Sequence, residues 1–198
     1  MLPTGLAIVG VSKKAMEASG RSTIPAYYFS YASMKKMNEQ GYFPYTPAMT
    51  LLRGLRASMD MMFDEGLENV FARHHRLASG VRAAVTAWGL KNCAVDAKWH
   101  SDTVTAIRVP EDIDANDVIK TAYHTYGVSL GAGLGPLNGN VFRIGHLGWL
   151  NETMVLQALG GVEMAMRDVG IRFLPGCGVG AAIEKYTDTK SPMVLAAE

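Results

Sequence analysis

Two apolar stripes at helical spacing, set back to back across a single glycine, constrain this chain more than any other feature. Met49, Leu52, Leu55, Met59 and Met62 recur every three or four residues. Beyond Gly66 come Leu67, Val70, Phe71, Leu77, Val81, Val85 and Trp88, stopped by Gly89. That spacing puts each set on one side of a helix, and each side demands a surface to cover it. Thr46-Pro47 supplies a cap and a first turn that tolerates proline. The period then changes. Residues 103–109, "TVTAIRV", alternate and are rich in β-branched side chains, which predicts a strand. Asp114, with Asp117 in its first turn, opens a helix toward Tyr126, and Gly127 stops it. "VSL" and "VFRIG" read as two further strands, Asn151 with Glu152 opens another helix, and a short helix follows in the tail. From residue 46 onward the order is helix, helix, strand, helix, strand, strand, helix. It predicts a small α+β layer with one sheet face covered.

Upstream, residues 6–11 read as a buried strand, followed by a helix capped by Ser12 and ended by Gly20. A short helix around "SMKKMNEQ" is closed by Gly41. Within 198 residues there is room for one sizeable core or two small ones. With 48% apolar and 19% charged residues, the chain is composed as a globular protein and not as a disordered tail. The net charge is +1 with Lys and Arg scattered, so the sequence carries no nucleic-acid or anionic-membrane footprint. No apolar run reaches the roughly 18 residues of a membrane span. The first residues lack the basic start of a signal peptide. Cys93 and Cys177 lie far apart and outside metal spacing, as expected of a reduced, cytoplasmic protein with no metal site.

The glycine-rich stretch "GAGLGPLNGNVFRIGHLG", residues 131–148, raises the question of a phosphate cradle. A P-loop needs a lysine and a hydroxyl after its last glycine, and a dinucleotide fingerprint needs a helix there. Asn138, Gly139 and Asn140 lead into a strand instead, so the glycines turn the chain. Arg143 sits among Val141, Phe142, Ile144 and Leu147, where a guanidinium must find an anion. Its fork suits either a protein carboxylate or the carboxylate of a ligand. His74 and His75, adjacent on a helix, point apart and make no metal pair. His146 reads as a hydrogen-bonded core histidine. In "YFPYTP", residues 42–47, the hydroxyls of Tyr45 and Thr46 beside a helix start read as a packed turn or as donors to a phosphate.

Four stretches together are similar to a known family. "LPTGLAIVGVS", "YFPYTPAMTLLRGLRASMDMMFDEGLENVFARHHRLA", "AWGLKNC" and "VFRIGHLG" resemble the class V aminotransferases that bind pyridoxal phosphate, above all those acting on serine or alanine with glyoxylate. The resemblance implies an α/β fold of the fold-type I class: the end of a large cofactor domain with its linker (1–45), a complete α+β small domain (46–175), and a short helix with a loose tail (176–198). It implies a second half only. In the family a "GSQK"-type segment precedes "LPTG", and its lysine, which carries the cofactor, falls upstream of Met1. No catalytic residue is therefore assigned to the chain.

By the same resemblance Arg143 matches the arginine that holds the substrate carboxylate. Tyr45 and Thr46 match the segment that reaches the cofactor phosphate of the neighbouring subunit in a homodimer. Amino-acid and 2-oxo-acid substrates follow, with an amino donor such as serine or alanine delivering nitrogen to glyoxylate to give glycine. A truncated non-catalytic paralogue or small-domain module, a cysteine desulfurase and a phosphoserine aminotransferase are the alternatives. The chain ends "LAAE", with no peroxisomal signal.

Overall fold

The computed structural model describes residues 2–188, so the expected loose tail lies outside the described residues. By packing the chain divides into two units, the first ending at Asp64 and the second starting at Glu65.

In the first unit, helix α1 (Lys13–Gly20) starts where the Ser12 hydroxyl accepts from the Ala15 N–H at 3.2 Å. Helix α2 (Tyr31–Asn38) starts the same way on Ser30, and Gly41 closes its exit at φ +78°. Neither helix buries a residue. The expected strand over residues 6–11 does not form. Among the described residues the only sheet lies in the second unit, and a strand without a neighbour leaves its N–H and C=O groups unpaired. Ile8 and Val9 are accordingly exposed. Helix α3 (Met49–Glu65) forms on the expected stripe, yet Met49, Met59 and Phe63 remain open to solvent.

Gly66, at φ +85°, ends α3 and becomes the N-cap of α4 (Leu67–Ala87), the first helix of the second unit. Then follow β1 (Lys91–Asn92), β2 (Val104–Arg108), α5 (Ala115–Tyr126), β3 (Gly131–Ala132), β4 (Val141–Gly145), α6 (Glu152–Asp168) and α7 (Cys177–Asp188). The sheet is antiparallel in the order β1-β2-β4-β3, with Ala106 opposite Arg143 and Ile107 opposite Phe142. The caps of α5 and α6 are those the sequence predicts, whereas the cap expected of Thr46 does not form, since α3 starts three residues later at Met49. Asp114 accepts from the Asn116 N–H, Asn151 from the Met154 N–H, and Gly127 closes α5 in the left-handed region. "VSL" is not itself a strand: the ladder starts one residue later, at Gly131.

Alternation sends Thr105 and Ile107 of β2, and Phe142 and Ile144 of β4, onto one sheet face. There they meet Leu77, Val81 and Val85 of α4 and Leu159, Val162 and Met166 of α6 in one core. Burying the Phe142 ring alone contributes roughly 2–3 kcal/mol. Helix α7 closes this layer against α4. A Cβ on Gly80 would fall 2.3 Å from the Tyr186 ring, so only glycine lets that ring lie on the helix. The Tyr186 hydroxyl donates to the Leu77 carbonyl at 2.9 Å. Under the start of α7, the buried Glu163 carboxylate accepts from the Trp88 indole and from the N–H groups of Gly176, Gly178 and Val179. It caps a neighbouring helix instead of its own.

Candidate functional site

Strand β4 puts its large apolar side chains into the core, and Arg143 therefore points to the opposite face of the sheet. It is half-buried there, beside Ala106 of β2 and Gly131 of β3. The glycine matters: a Cβ on Gly131 would approach Arg143 Nε to 3.1 Å and Cζ to 3.4 Å. The Arg143 side chain lies across the space that the missing methyl leaves. Its Nε donates to the Ala132 carbonyl at 2.9 Å, which fixes the plane of the guanidinium. No ion pair among the described residues includes Arg143. The outer nitrogens Nη1 and Nη2 thus form a two-pronged donor without a protein carboxylate, the geometry that suits the carboxylate of a small acid.

The turn that delivers β4 is built as the glycine pattern predicts. Gly135 and Gly139 adopt φ +54° and +78°. Gly133 passes so close to the Leu137 carbonyl that a Cβ would lie 2.0 Å from its oxygen. The Gly133 N–H donates to Val141 O, and the Asn140 N–H donates to Leu137 O. These bonds close the turn on itself.

Beyond β4, His146 is fully buried and hydrogen-bonded at both ring nitrogens, as expected of a core histidine. Nδ1 donates to the Asp102 carbonyl at 3.0 Å, and Nε2 accepts from the Thr105 hydroxyl at 2.9 Å. Burial pushes its pKa below the usual 6.5, against the smaller pull of the Asp102 carbonyl. Burial raises the Asp102 carboxyl, but hydrogen bonds and charges from His75 and Arg82 together hold it below its ordinary value. His74 and His75 diverge as the helix requires. The first is buried, and the second pairs with Asp102 at the surface. No group of His, Cys, Asp and Glu among the described residues could hold a metal ion. No helix among them is long and apolar enough to cross a membrane.

Tyr45 and Thr46 belong to the first unit. The Tyr45 ring stacks on Tyr28 with centroids 4.8 Å apart, and its hydroxyl reaches the Tyr27 carbonyl at 3.4 Å. Burial and the neighbouring Tyr27 raise its pKa. Thr46 is exposed, three residues before α3 begins at Met49, and no hydrogen bond engages its hydroxyl among the described residues. A free hydroxyl beside a helix start can donate to a phosphate. Thr46 fits that part of the expected cofactor site. Tyr45 fits less well, since its hydroxyl is engaged within the unit.

One buried ion pair on α4 escapes the sequence reading. Arg73 donates through Nε and Nη2 to both oxygens of Glu65, at 2.6 and 2.9 Å. Its Nη1 donates to the carbonyls of Gly148 and Leu150, at 2.8 and 3.2 Å. The basic "RHHR" of residues 73–76 was the usable signal.

No family model matches the chain. It is 56% identical to a serine–glyoxylate aminotransferase from Hyphomicrobium methylovorum, over 98% of this chain and 49% of that protein. It is 52% identical to an L-aspartate–glyoxylate aminotransferase from Paracoccus denitrificans, over 96% of this chain and 48% of the relative. The chain belongs to the class V aminotransferases. Among solved structures, pyridoxamine–pyruvate aminotransferase from Mesorhizobium loti superposes with a TM-score of 0.81 at 31% identity, covering 90% of this chain and 47% of that one. The fold is accordingly the α/β arrangement of the pyridoxal-phosphate aminotransferases, as the resemblance implied. The class V relatives matched by this chain are about twice its length.

Proposed function

We propose that this chain provides the substrate-carboxylate site of a glyoxylate aminotransferase that takes its nitrogen from a small amino acid such as serine. The observation that carries the reading is Arg143: half-buried on the sheet face opposite Phe142 and Ile144, its plane fixed by Ala132, its two outer nitrogens without a protein carboxylate. The relatives' names support the class, since both glyoxylate aminotransferases match nearly the whole chain.

Arg143 holds the carboxylate of the amino donor and then of glyoxylate through Nη1 and Nη2. Nε is already committed, so the acid docks end-on in one orientation. Fixing a small acid at two points before reaction is an entropic contribution to rate. Pyridoxal phosphate, when bound, supplies the electron sink of the reaction. Thr46, with Tyr45 beside it, is the part of this chain that would meet the cofactor's phosphate, across a homodimer as in the family. No lysine of this chain is assigned the covalent role. We assign residues 1–45 to the cofactor-binding domain, 46–175 to the small domain, and the protein to the cytoplasm.

The test is a glyoxylate titration of the isotope-labelled chain, read at the backbone amides of Ile144 and Gly145. Saturable shifts that Arg143→Lys weakens are expected. Equal binding by the two proteins would refute the role given to Arg143.

A further inference from the structure

Helix α4 grips the segments around the end of β4 with successive side chains. Arg73 is a hub: its fork closes on Glu65, its Nη1 holds the carbonyls of Gly148 and Leu150, and its Cζ lies 5.5 Å from the centre of the Trp149 ring. His74, 8% exposed, holds the same residue from its other peptide: the Gly148 N–H donates to its Nε2 at 3.0 Å. Its Nδ1 lies 2.7 Å from the Val70 carbonyl, which can only accept, so Nδ1 carries the proton and the ring is neutral. His75 adds a hydrogen bond to Asp102, just before β2, and Arg76 an ion pair to Glu152, at the start of α6. Gly148 itself is buried at φ +114°, a conformation reserved for glycine. Gly148 is thus held by donor and acceptor at once, in a backbone state with little alternative.

Gly148 lies five positions beyond Arg143, and His146, tied to Asp102 and Thr105, lies between them. The core contacts of Phe142 and Ile144 would bury β4 without this latch. A buried histidine and a desolvated Arg–Glu pair add little net stability; they specify one geometry. We propose that Arg73 and His74 are positioning residues for Arg143: by fixing residues 148–150 against α4 they hold the end of β4, and with it the guanidinium, where a substrate carboxylate is met. This rests on the reading of Arg143 as the carboxylate ligand. Misplacing a binding group by an ångström is felt in function long before it is felt in folding.

The experiment uses the labelled 198-residue chain, with hydrogen exchange at Gly148 and glyoxylate binding at Ile144 and Gly145 as paired readouts. In His74→Leu, exchange at Gly148 accelerates, the core amides of Leu159 and Val162 keep their protection, and glyoxylate binds about tenfold more weakly. His74→Gln, whose side-chain oxygen can accept from the Gly148 N–H, restores both. Arg73→Met, which keeps a stem beside Trp149, gives the same pair of losses and serves if His74→Leu does not fold. Weak binding in Arg143→Lys but unaltered binding in His74→Leu or Arg73→Met overturns this proposal alone. Equal binding by the wild type and Arg143→Lys overturns the carboxylate reading and the positioning role with it.

Discussion

Glu163 is the residue whose replacement the second unit tolerates least. Its carboxylate is 6% exposed and accepts four N–H groups: Trp88 Nε1 at 2.9 Å, Gly178 at 2.8 Å and Val179 at 3.1 Å on Oε1, and Gly176 at 2.8 Å on Oε2. Three of these donors are backbone groups that no substitution can remove. An apolar replacement therefore cannot neutralise the site, as it can where both partners of a buried pair are side chains. Each orphaned donor costs about 1–3 kcal/mol, and water has little room to enter: a Cβ on Gly178 would already lie 2.2 Å from Trp88 Nε1. Glu163→Leu is expected to lose about 4–6 kcal/mol, a large share of the 5–15 kcal/mol typical of a domain. Glu163→Gln keeps one acceptor oxygen for the three donors at Oε1 and loses only the Gly176 contact and the charge, so about 2 kcal/mol is expected. Urea unfolding followed by tryptophan fluorescence measures both, at unchanged dependence on denaturant. A loss under 1 kcal/mol in Glu163→Leu, or a glutamine variant as damaged as the leucine one, would refute the capping account.

In an enzyme that also carries the family's Schiff-base lysine, Arg143→Lys should cost about 2–4 kcal/mol in kcat/KM for amino acids. Cofactor absorbance should be kept, and an amine without a carboxylate should be hardly affected. His146 is held neutral with a folded pKa below its usual value, so the unfolded chain takes up a proton first. Stability is full above about pH 6.5 and declines as pH falls through that value toward the lower folded one. Chemical denaturation across this range should show the decline, and His146→Gln should flatten it. Gly80→Ala, which would stabilise an isolated helix by about 1 kcal/mol, should instead destabilise by about 3 kcal/mol against the Tyr186 ring. A raised melting temperature would contradict the α4–α7 packing.

What could be read in the sequence was local. Ser12, Asp114 and Asn151 cap within three residues of themselves, and Gly66, Gly89 and Gly127 stop their helices through their own φ. Pairing was less legible. Residues 6–11 have the composition of a strand, but a strand exists only through a neighbour, and none pairs with them among the described residues. The stripe of α3 predicted its helix, with Leu52, Leu55 and Met62 half-buried and Met49 and Met59 exposed, because periodicity says which side wants cover and not what supplies it. Arg143 was visible as an unusual charge in a strand. That it half-emerges on the face away from the helices depends on its opposite residues, Ala106 and Gly131. The grip of Arg73 and His74 was harder still, since their partners lie 74 to 77 residues on and "RHHR" looks like a solvated helix face.

The closure of α7 over α4 has a consequence for the chain as it is made. The Tyr186 hydroxyl meets a carbonyl 109 residues earlier, and its ring covers Gly80. A ribosome adding about 5–20 residues per second leaves the α7 side of α4 uncovered for roughly 5–20 s after that helix emerges. Helix α4 itself forms in about a microsecond, so its apolar side waits, folded and bare, for its last partner. The nascent protein thus spends its vulnerable interval with the Gly80 side of α4 on display, a target for a chaperone that recognises apolar helices.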